Sequence, residues 1–79
     1  MALCREDEVR HLNQADTHVA DSERRITQQM LRVEELRRDG HDTREAERML
    51  ATLEQTLQSI HEHREIIIDT IRGIDEGRF

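Results

Sequence analysis

The sequence is poor in the residues that shape sheets, sharp turns and disulfide scaffolds. Among its 79 residues there is no proline, tryptophan or tyrosine, and Phe79 is the single aromatic residue. A lone cysteine, Cys4, cannot form a disulfide within the chain, and it leaves a cysteine-based zinc finger without its ligand set. These absences exclude a disulfide-stapled fold and a structural zinc site, and they favour a helical protein.

Charge is abundant, but its sign disfavours two classes of partner. Charged residues make up 38 % of the chain, the net charge is −6, and lysine is absent. Nucleic acids and anionic membranes bind concentrated positive surfaces, whereas the arginines here lie among acidic residues. Residues 1–9 lack the apolar core of a secretion signal, and Ile66–Ile68 is far shorter than the roughly 20 residues of a membrane span. We expect a soluble, cytoplasmic protein with no nucleic-acid or membrane partner.

High charge without helix breakers is typical of disorder or of long helices, and hydrophobic periodicity separates the two. In the first half, one row repeats every seven residues and a weaker row follows three residues later: Leu12, Val19, Ile26 and Val33, then Ala15, Ser22, Gln29 and Leu36. In the second half, steps of four and three alternate through Ala46, Leu50, Leu53, Leu57, Ile60, Arg64, Ile67, Ile71 and Ile74. Both patterns predict long helices packed along their length against another helix.

Residues 37–45 separate the two stripes and carry helix-end signals. Gly40 can adopt the left-handed conformation that closes a helix, and the two arginines before it complement the negative helix end. Asp42, followed three residues later by Glu45, predicts a capping box in which each residue bonds to the backbone amide of the other. Because the connection is short, the two helices must be antiparallel neighbours.

The expected fold is therefore all-α, a single antiparallel two-helix hairpin of coiled-coil type over residues 1–79. We expect helix one at about residues 5–38, the turn at 39–42 and helix two at about 43–72. The tail, residues 73–79, contains two glycines and is expected to fray.

A single hairpin seam buries little apolar surface against the conformational entropy of ordering two long helices. Further apolar residues lie off the main stripes and would be exposed in a lone hairpin, namely Val9, Met30, Leu31, Met49, Ile66 and Ile68. A two-fold dimer forming a four-helix bundle would cover them, and its stability would rise with protein concentration. A higher oligomer or a foreign helical partner is the alternative.

The hairpin register also predicts a polar layer across the seam. If the turn centres between Gly40 and His41, residues whose numbers sum to about 81 lie side by side, which places Arg64 near Asp16. Arg64 is the one member of its stripe unsuited to a core, so we interpret the pair as a register-setting ion pair buried at some cost in stability. The apolar contacts would come from Leu50, Leu53, Leu57, Ile60, Ile67 and Ile71.

Histidines beside this layer offer a metal-binding alternative. His18 and His63 should face each other across one flank of the seam, and His61 lies on the other flank, near Glu23. Imidazole and carboxylate groups are suitable ligands for a transition metal, so these four residues are candidate ligands. Against this, His61 and His63 point to different helix faces, and the nearby Arg64 repels a cation.

A phosphotransfer role is the second chemical alternative. The segment Ser59–Arg64 resembles the phosphoacceptor box of dimeric histidine-kinase hairpins, in which an acid follows an exposed, nucleophilic histidine. The proline and threonine that follow that box are missing, and no nucleotide-binding domain accompanies it. Nucleophilic triads and glycine-rich phosphate loops are absent too, so we expect neither enzymatic activity nor a cofactor.

Six short segments, spread over roughly residues 12–68, match a familiar pattern. They are Ala15-Asp16 with His18, Glu23-Arg24-Arg25-Ile26, Asp39-Gly40-His41-Asp42-Thr43, Ala46-Glu47, Leu50 with Leu53-Glu54, and His63-Arg64-Glu65. In these segments the chain resembles a group of small, uncharacterised bacterial helical-hairpin proteins with no assigned activity. The resemblance implies that Asp16, His18, His63 and Arg64 belong to the group's pattern. Members tend to carry arginine at the position of Thr17 and glycine at that of Ser22, which loosens any inference about that face.

The functional expectation is a non-catalytic helical interaction or adaptor module that acts as a homodimer. The alternative is a small site centred on His18, His61 and His63, either for a transition metal or for a phosphoryl group.

Overall fold

The computed structural model describes residues 3–79, which form two long helices joined by a short turn. Helix α1 spans Arg5–Arg38 and helix α2 spans Arg44–Asp75. The hairpin measures 59 × 18 × 15 Å. Ion pairs join the start of α1 to the end of α2 and the end of α1 to the start of α2, so the helices are antiparallel. The predicted all-α architecture of two packed helices is confirmed.

The predicted stripes form the seam between the helices. Ala15, Val33 and Ile67 are buried, and every other stripe residue of both helices is half-buried. Each helix contacts only one neighbour, so a residue in the seam is covered from one side and stays open along its edges. The core is consequently one row of side chains deep.

Helix α1 ends in a glycine-terminated motif. Gly40 has a φ of 77°, which is the left-handed conformation expected of it. The Gly40 amide donates to the Arg37 carbonyl at 3.1 Å, and the His41 amide donates to the Leu36 carbonyl at 2.8 Å. These two bonds satisfy carbonyls that the end of a helix otherwise leaves without partners.

The capping box predicted from Asp42 and Glu45 does not form. Helix α2 begins at Arg44, and the side chain of the N-cap residue Thr43 makes no capping bond. Asp42 instead accepts the Arg44 amide at 3.0 Å and the Arg44 guanidinium at 2.8 to 3.1 Å. The carboxylate is thereby held one residue short of Glu45, and within residues 3–79 no side-chain bond joins Glu45 to Asp42.

Helix α2 continues three residues beyond its predicted end. Gly73, which we expected in the tail, is helical and buried, and the left-handed residue that closes the helix is Gly77, with a φ of 75°. The Arg78 amide donates to the Gly73 carbonyl at 2.8 Å, which repeats the motif at the end of α1. The Phe79 ring folds back so closely over Gly73 that a β-carbon there would clash with it.

The apolar residues off the stripes fall into two groups. Val9 and Ile68 are half-buried at the edge of the seam, so the expectation that they are exposed in a lone hairpin is wrong. Met30, Leu31, Met49 and Ile66 are exposed, as expected. Within residues 3–79, neither helix has an apolar stretch long enough to cross a membrane.

Candidate functional site

The polar layer is formed by an ion pair between the helices. Arg64 Nε donates a hydrogen bond to Asp16 Oδ1 at 2.6 Å, so the two residues placed together by the register are in contact. This bond and the charge of Asp16 raise the pKa of Arg64 above its usual value. The guanidinium therefore stays charged, and it is a fixed cation at this level of the hairpin.

The ion pair is not buried, and here the interpretation made from the sequence is wrong. Asp16 is exposed and Arg64 is half-buried, and among residues 3–79 no polar or charged residue is buried. A seam with only one neighbouring helix leaves its edge open to water, so Arg64 extends sideways and its charge remains solvated. The desolvation cost assigned to a buried ion pair does not apply to this pair.

Three ion pairs between the helices lie on one flank of the seam. Besides Asp16 and Arg64, Arg5 Nε contacts Asp75 Oδ1 at 2.7 Å, and an Arg37 guanidinium nitrogen contacts Glu47 Oε1 at 2.8 Å. They fall at the open end, the middle and the turn end of the hairpin. We call this side the bridged flank; it carries Val9, Asp16, Glu23, Met30 and Arg37 on α1, and Glu47, Glu54, His61, Ile68 and Asp75 on α2.

The opposite side is the open flank. It carries His11, His18, Arg25 and Arg32 on α1, and Met49, Thr56, His63 and Thr70 on α2. Across residues 3–79, no ion pair crosses the seam on this flank. The two sides of the hairpin are thus chemically different, although they have the same length and the same backbone geometry.

The histidines are exposed and divided between the flanks. His18 and His63 lie on the open flank, whereas His61 and Glu23 lie on the bridged flank, and all four side chains are exposed. Of the residues described, no group of three or more histidine, cysteine or carboxylate side chains is close enough to hold a metal ion. The four candidate ligands are therefore not gathered into one site by the hairpin.

Two of the three bridging pairs were not predicted from the sequence. The numbers of Arg5 and Asp75 sum to 80, and those of Arg37 and Glu47 sum to 84. Both sums are close to the register of about 81, so the same geometric rule would have found them. The pair at the open end was not predicted because the expected helix two ends at about residue 72, before Asp75.

The hairpin also has a shallow groove near the turn. It has a volume of about 230 Å³, is open to solvent, and is lined by Met30, Val33, Glu34, Arg37, Glu47 and Leu50. Its polar members include Arg37 and Glu47, the ion pair that closes the bridged flank there, so the charges of these two residues are already matched. The groove therefore combines apolar side chains with an ion pair, and this arrangement does not resemble a catalytic site.

Comparison with known proteins adds no relative to this picture. No protein-family model, curated protein or solved structure matches the chain. The resemblance to small bacterial helical-hairpin proteins therefore stays a prediction.

Proposed function

We propose that the chain is a non-catalytic helical interaction module, or adaptor, that works in the cytoplasm as a homodimer of two hairpins in a four-helix bundle. The observation that carries the proposal is the amount of surface that one hairpin leaves exposed. A module of this kind would use part of that surface to pair with itself and the rest to hold another protein.

The exposed surface is large for the mass of the chain. The hairpin has an accessible surface of 6167 Å², whereas a compact monomer of 9.4 kDa exposes about 5,000 Å². An unfolded chain of this mass exposes about 13,600 Å², so folding into a hairpin buries only about 55 % of it. Even a 60-residue domain buries about 60 %. The hairpin alone is poorly covered, and a second subunit would correct this.

Large apolar side chains account for part of the uncovered surface. Met30, Leu31, Met49 and Ile66 are between 48 % and 63 % exposed, and Phe79 is 73 % exposed. Each of them costs free energy in water that packing against another helix would recover, at about 25 cal/mol for every Å² of apolar surface removed. They support an interaction role better than a chemical one.

The assignment to the cytoplasm rests on the free cysteine. Cys4 is exposed and unpaired, and exposed thiols of this kind are typical of reducing compartments. The acidic balance of the chain is compatible with that assignment.

Thermal unfolding at different protein concentrations tests the proposal. Raising the concentration 100-fold stabilises a dimer by about 2.7 kcal/mol, which corresponds to a rise of about 8 °C in the midpoint for a dimer of this size. We expect a rise of this order when helix content is followed by circular dichroism. A midpoint independent of concentration would contradict self-association.

The histidine-centred alternative predicts a different result. If the chain is an adaptor, substituting His18→Ala and His63→Ala together should change only the stability of the protein and leave its helix content intact, because both side chains are exposed on the hairpin. A site built on these residues would instead lose bound metal or phosphohistidine, which metal analysis and acid-labile phosphate assays measure. Loss of either in the double variant would support the alternative.

A further inference from the structure

The open flank of helix α2 carries a continuous row without charged residues. The row follows steps of three and four along nearly the whole helix, and we call it the uncharged stripe: Met49, Thr52, Thr56, Ser59, His63, Ile66, Thr70 and Gly73. The equivalent row on the bridged flank contains five charged residues, namely Glu47, Glu54, Glu65, Arg72 and Asp75. In a chain of which 38 % is charged, this contrast marks the open flank as different from ordinary solvated surface.

Exposed apolar side chains lie on the uncharged stripe or over its far end. Met49 is 52 % exposed near the turn, Ile66 is 63 % exposed farther along, and the Phe79 ring lies over Gly73 at the far end. The three ion pairs that close the bridged flank have no counterpart on this side across residues 3–79. The hairpin thus closes one flank by itself and leaves the other flank unbridged, with the α2 row on that flank uncharged.

We propose that a second copy of the chain packs on the open flank, with its helix α2 antiparallel to the first across a two-fold axis near residue 61. This inference rests on the proposed dimer and names the face that forms it. In this arrangement, residues of the uncharged stripe pair across the two-fold axis when their numbers sum to about 122. Thr56 then faces Ile66 of the second copy, and Ser59 faces its His63. Met49 reaches the Gly73 and Phe79 of the second copy, where sulfur can contact the exposed ring.

The charges on helix α1 fit the same arrangement. Because Asp16 is level with Arg64, the axis near residue 61 passes α1 between residues 19 and 20, and residues of the two α1 helices pair when their numbers sum to about 39. Asp7 is then level with Arg32 of the second copy, and His18 is level with its Asp21. On the open flank this rule brings no like charges together, although each of these aspartates already contacts an arginine of its own helix, Arg10 or Arg24.

The area of the hairpin agrees with an interface of ordinary size. The chain exposes about 1,200 Å² more than a compact monomer of its mass, and a standard interface removes about 800 Å² from each partner. A second copy along the open flank would therefore bring the exposed surface close to that of a compact protein. The open flank is also long enough for such an interface, because it runs along the 59 Å axis of the hairpin.

Substitution of one residue of the uncharged stripe by an acid tests whether the open flank forms the dimer. Thr56→Glu would bury a carboxylate against Ile66 of the second copy, and the two-fold axis repeats the defect. Ala51→Glu is the matched control, since it adds the same charge to an exposed residue of the same helix on the other side. We expect the dimer dissociation constant, measured by sedimentation equilibrium, to rise at least about tenfold for Thr56→Glu and to stay within about twofold for the control. Circular dichroism verifies that both variants are helical.

Distances between spin labels test the antiparallel axis. In a Cys4→Ser background, cysteines for the labels replace Ala51, Gln58 or Arg72, which are exposed residues away from the open flank. At 1.5 Å per residue, the two labels of a dimer are displaced along the helix axis by about 30 Å at position 51, about 9 Å at position 58 and about 33 Å at position 72. Position 58 should therefore give the shortest distance, by about 10 Å or more. Equal distances at the three positions indicate parallel helices and would overturn the inference.

The two proposals fail in different ways. A chain that stays monomeric overturns both the homodimer and its face. A stable dimer that tolerates Thr56→Glu as well as Ala51→Glu overturns the face alone and leaves the interaction module standing.

Discussion

Arg5 and Asp75, which are 70 residues apart in the sequence, contact each other across the open end of the hairpin at 2.7 Å. The contact exists because helix α2 continues to Asp75, which in turn depends on the closing motif at Gly77. One left-handed glycine therefore decides whether the two helices match in length. The ends of a helix, and not only its stripe, determine which charged residues meet.

The corner of the hairpin is sensitive to Gly40. Because its φ is 77°, an L side chain there is strained, and Gly40→Ala should destabilise the fold by about 1–2 kcal/mol. Gly40→Asn should cost less, since asparagine tolerates the left-handed region better. Urea unfolding of the unmodified chain and the two variants measures the order of their stabilities. Equal stabilities for the alanine and glycine proteins would show that the corner can form without this conformation.

Two adjacent isoleucines should respond very differently to truncation. Ile67 is 4 % exposed in the seam, so Ile67→Ala should cost about 2–5 kcal/mol and can unfold so small a protein. Ile66 is 63 % exposed, and at low protein concentration Ile66→Ala should change the free energy of unfolding by only about 0.5 kcal/mol. If Ile66 lies in the dimer, the difference from the unmodified chain grows as concentration rises. Chemical denaturation at two concentrations measures both effects, and equal losses for the two variants would contradict the register of α2.

Arg64 interrupts an otherwise apolar row, and the structure predicts the effect of completing it. Arg64→Leu should raise the unfolding midpoint, because a leucine can pack in the seam while Asp16, being exposed, keeps its water. Arg64→Ala should lower the midpoint, since it removes the stem of the side chain and adds no packing. A leucine variant that melts below the alanine variant would show that the ion pair outweighs the packing.

Asp42 should contribute a stability that depends on pH. The Arg44 guanidinium, with the Arg44 amide, lowers the pKa of Asp42 below its ordinary value. A lowered pKa in the folded state gives stability that is present above the unfolded pKa and is lost as pH falls through the folded one. The advantage of the unmodified chain over Asp42→Asn should therefore shrink between about pH 5 and about pH 3 in thermal unfolding. A gap that does not change over this range would contradict the role of the Asp42 carboxylate.

The fold was predictable because its information is periodic. The apolar rows of both helices, together with the single turn after Gly40, specify two antiparallel helices, and a spacing rule then places Arg64 beside Asp16. Such patterns need only the geometry of the helix and no knowledge of neighbouring side chains.

The features that could not be predicted depend on competition between alternatives. Asp42 could accept the amide of Arg44 or of Glu45, and it bonds Arg44, whose guanidinium contacts the same carboxylate. Gly73 and Gly77 could each have closed α2, and the sequence does not rank them. The depth of a seam also depends on how many helices cover it, and the pattern of one chain does not give that number. The exposure of Arg64 could therefore not be predicted. The difference between the flanks emerges only when both helices are placed in register.

Because one hairpin leaves so much surface uncovered, we expect it to associate with a second copy. Sedimentation equilibrium of the unmodified chain from about 1 to about 100 µM tests it most directly. We predict a molar mass that rises with concentration toward twice the 9.4 kDa of the chain, at constant helix content. A fully helical protein that keeps the mass of a single chain throughout would contradict the account.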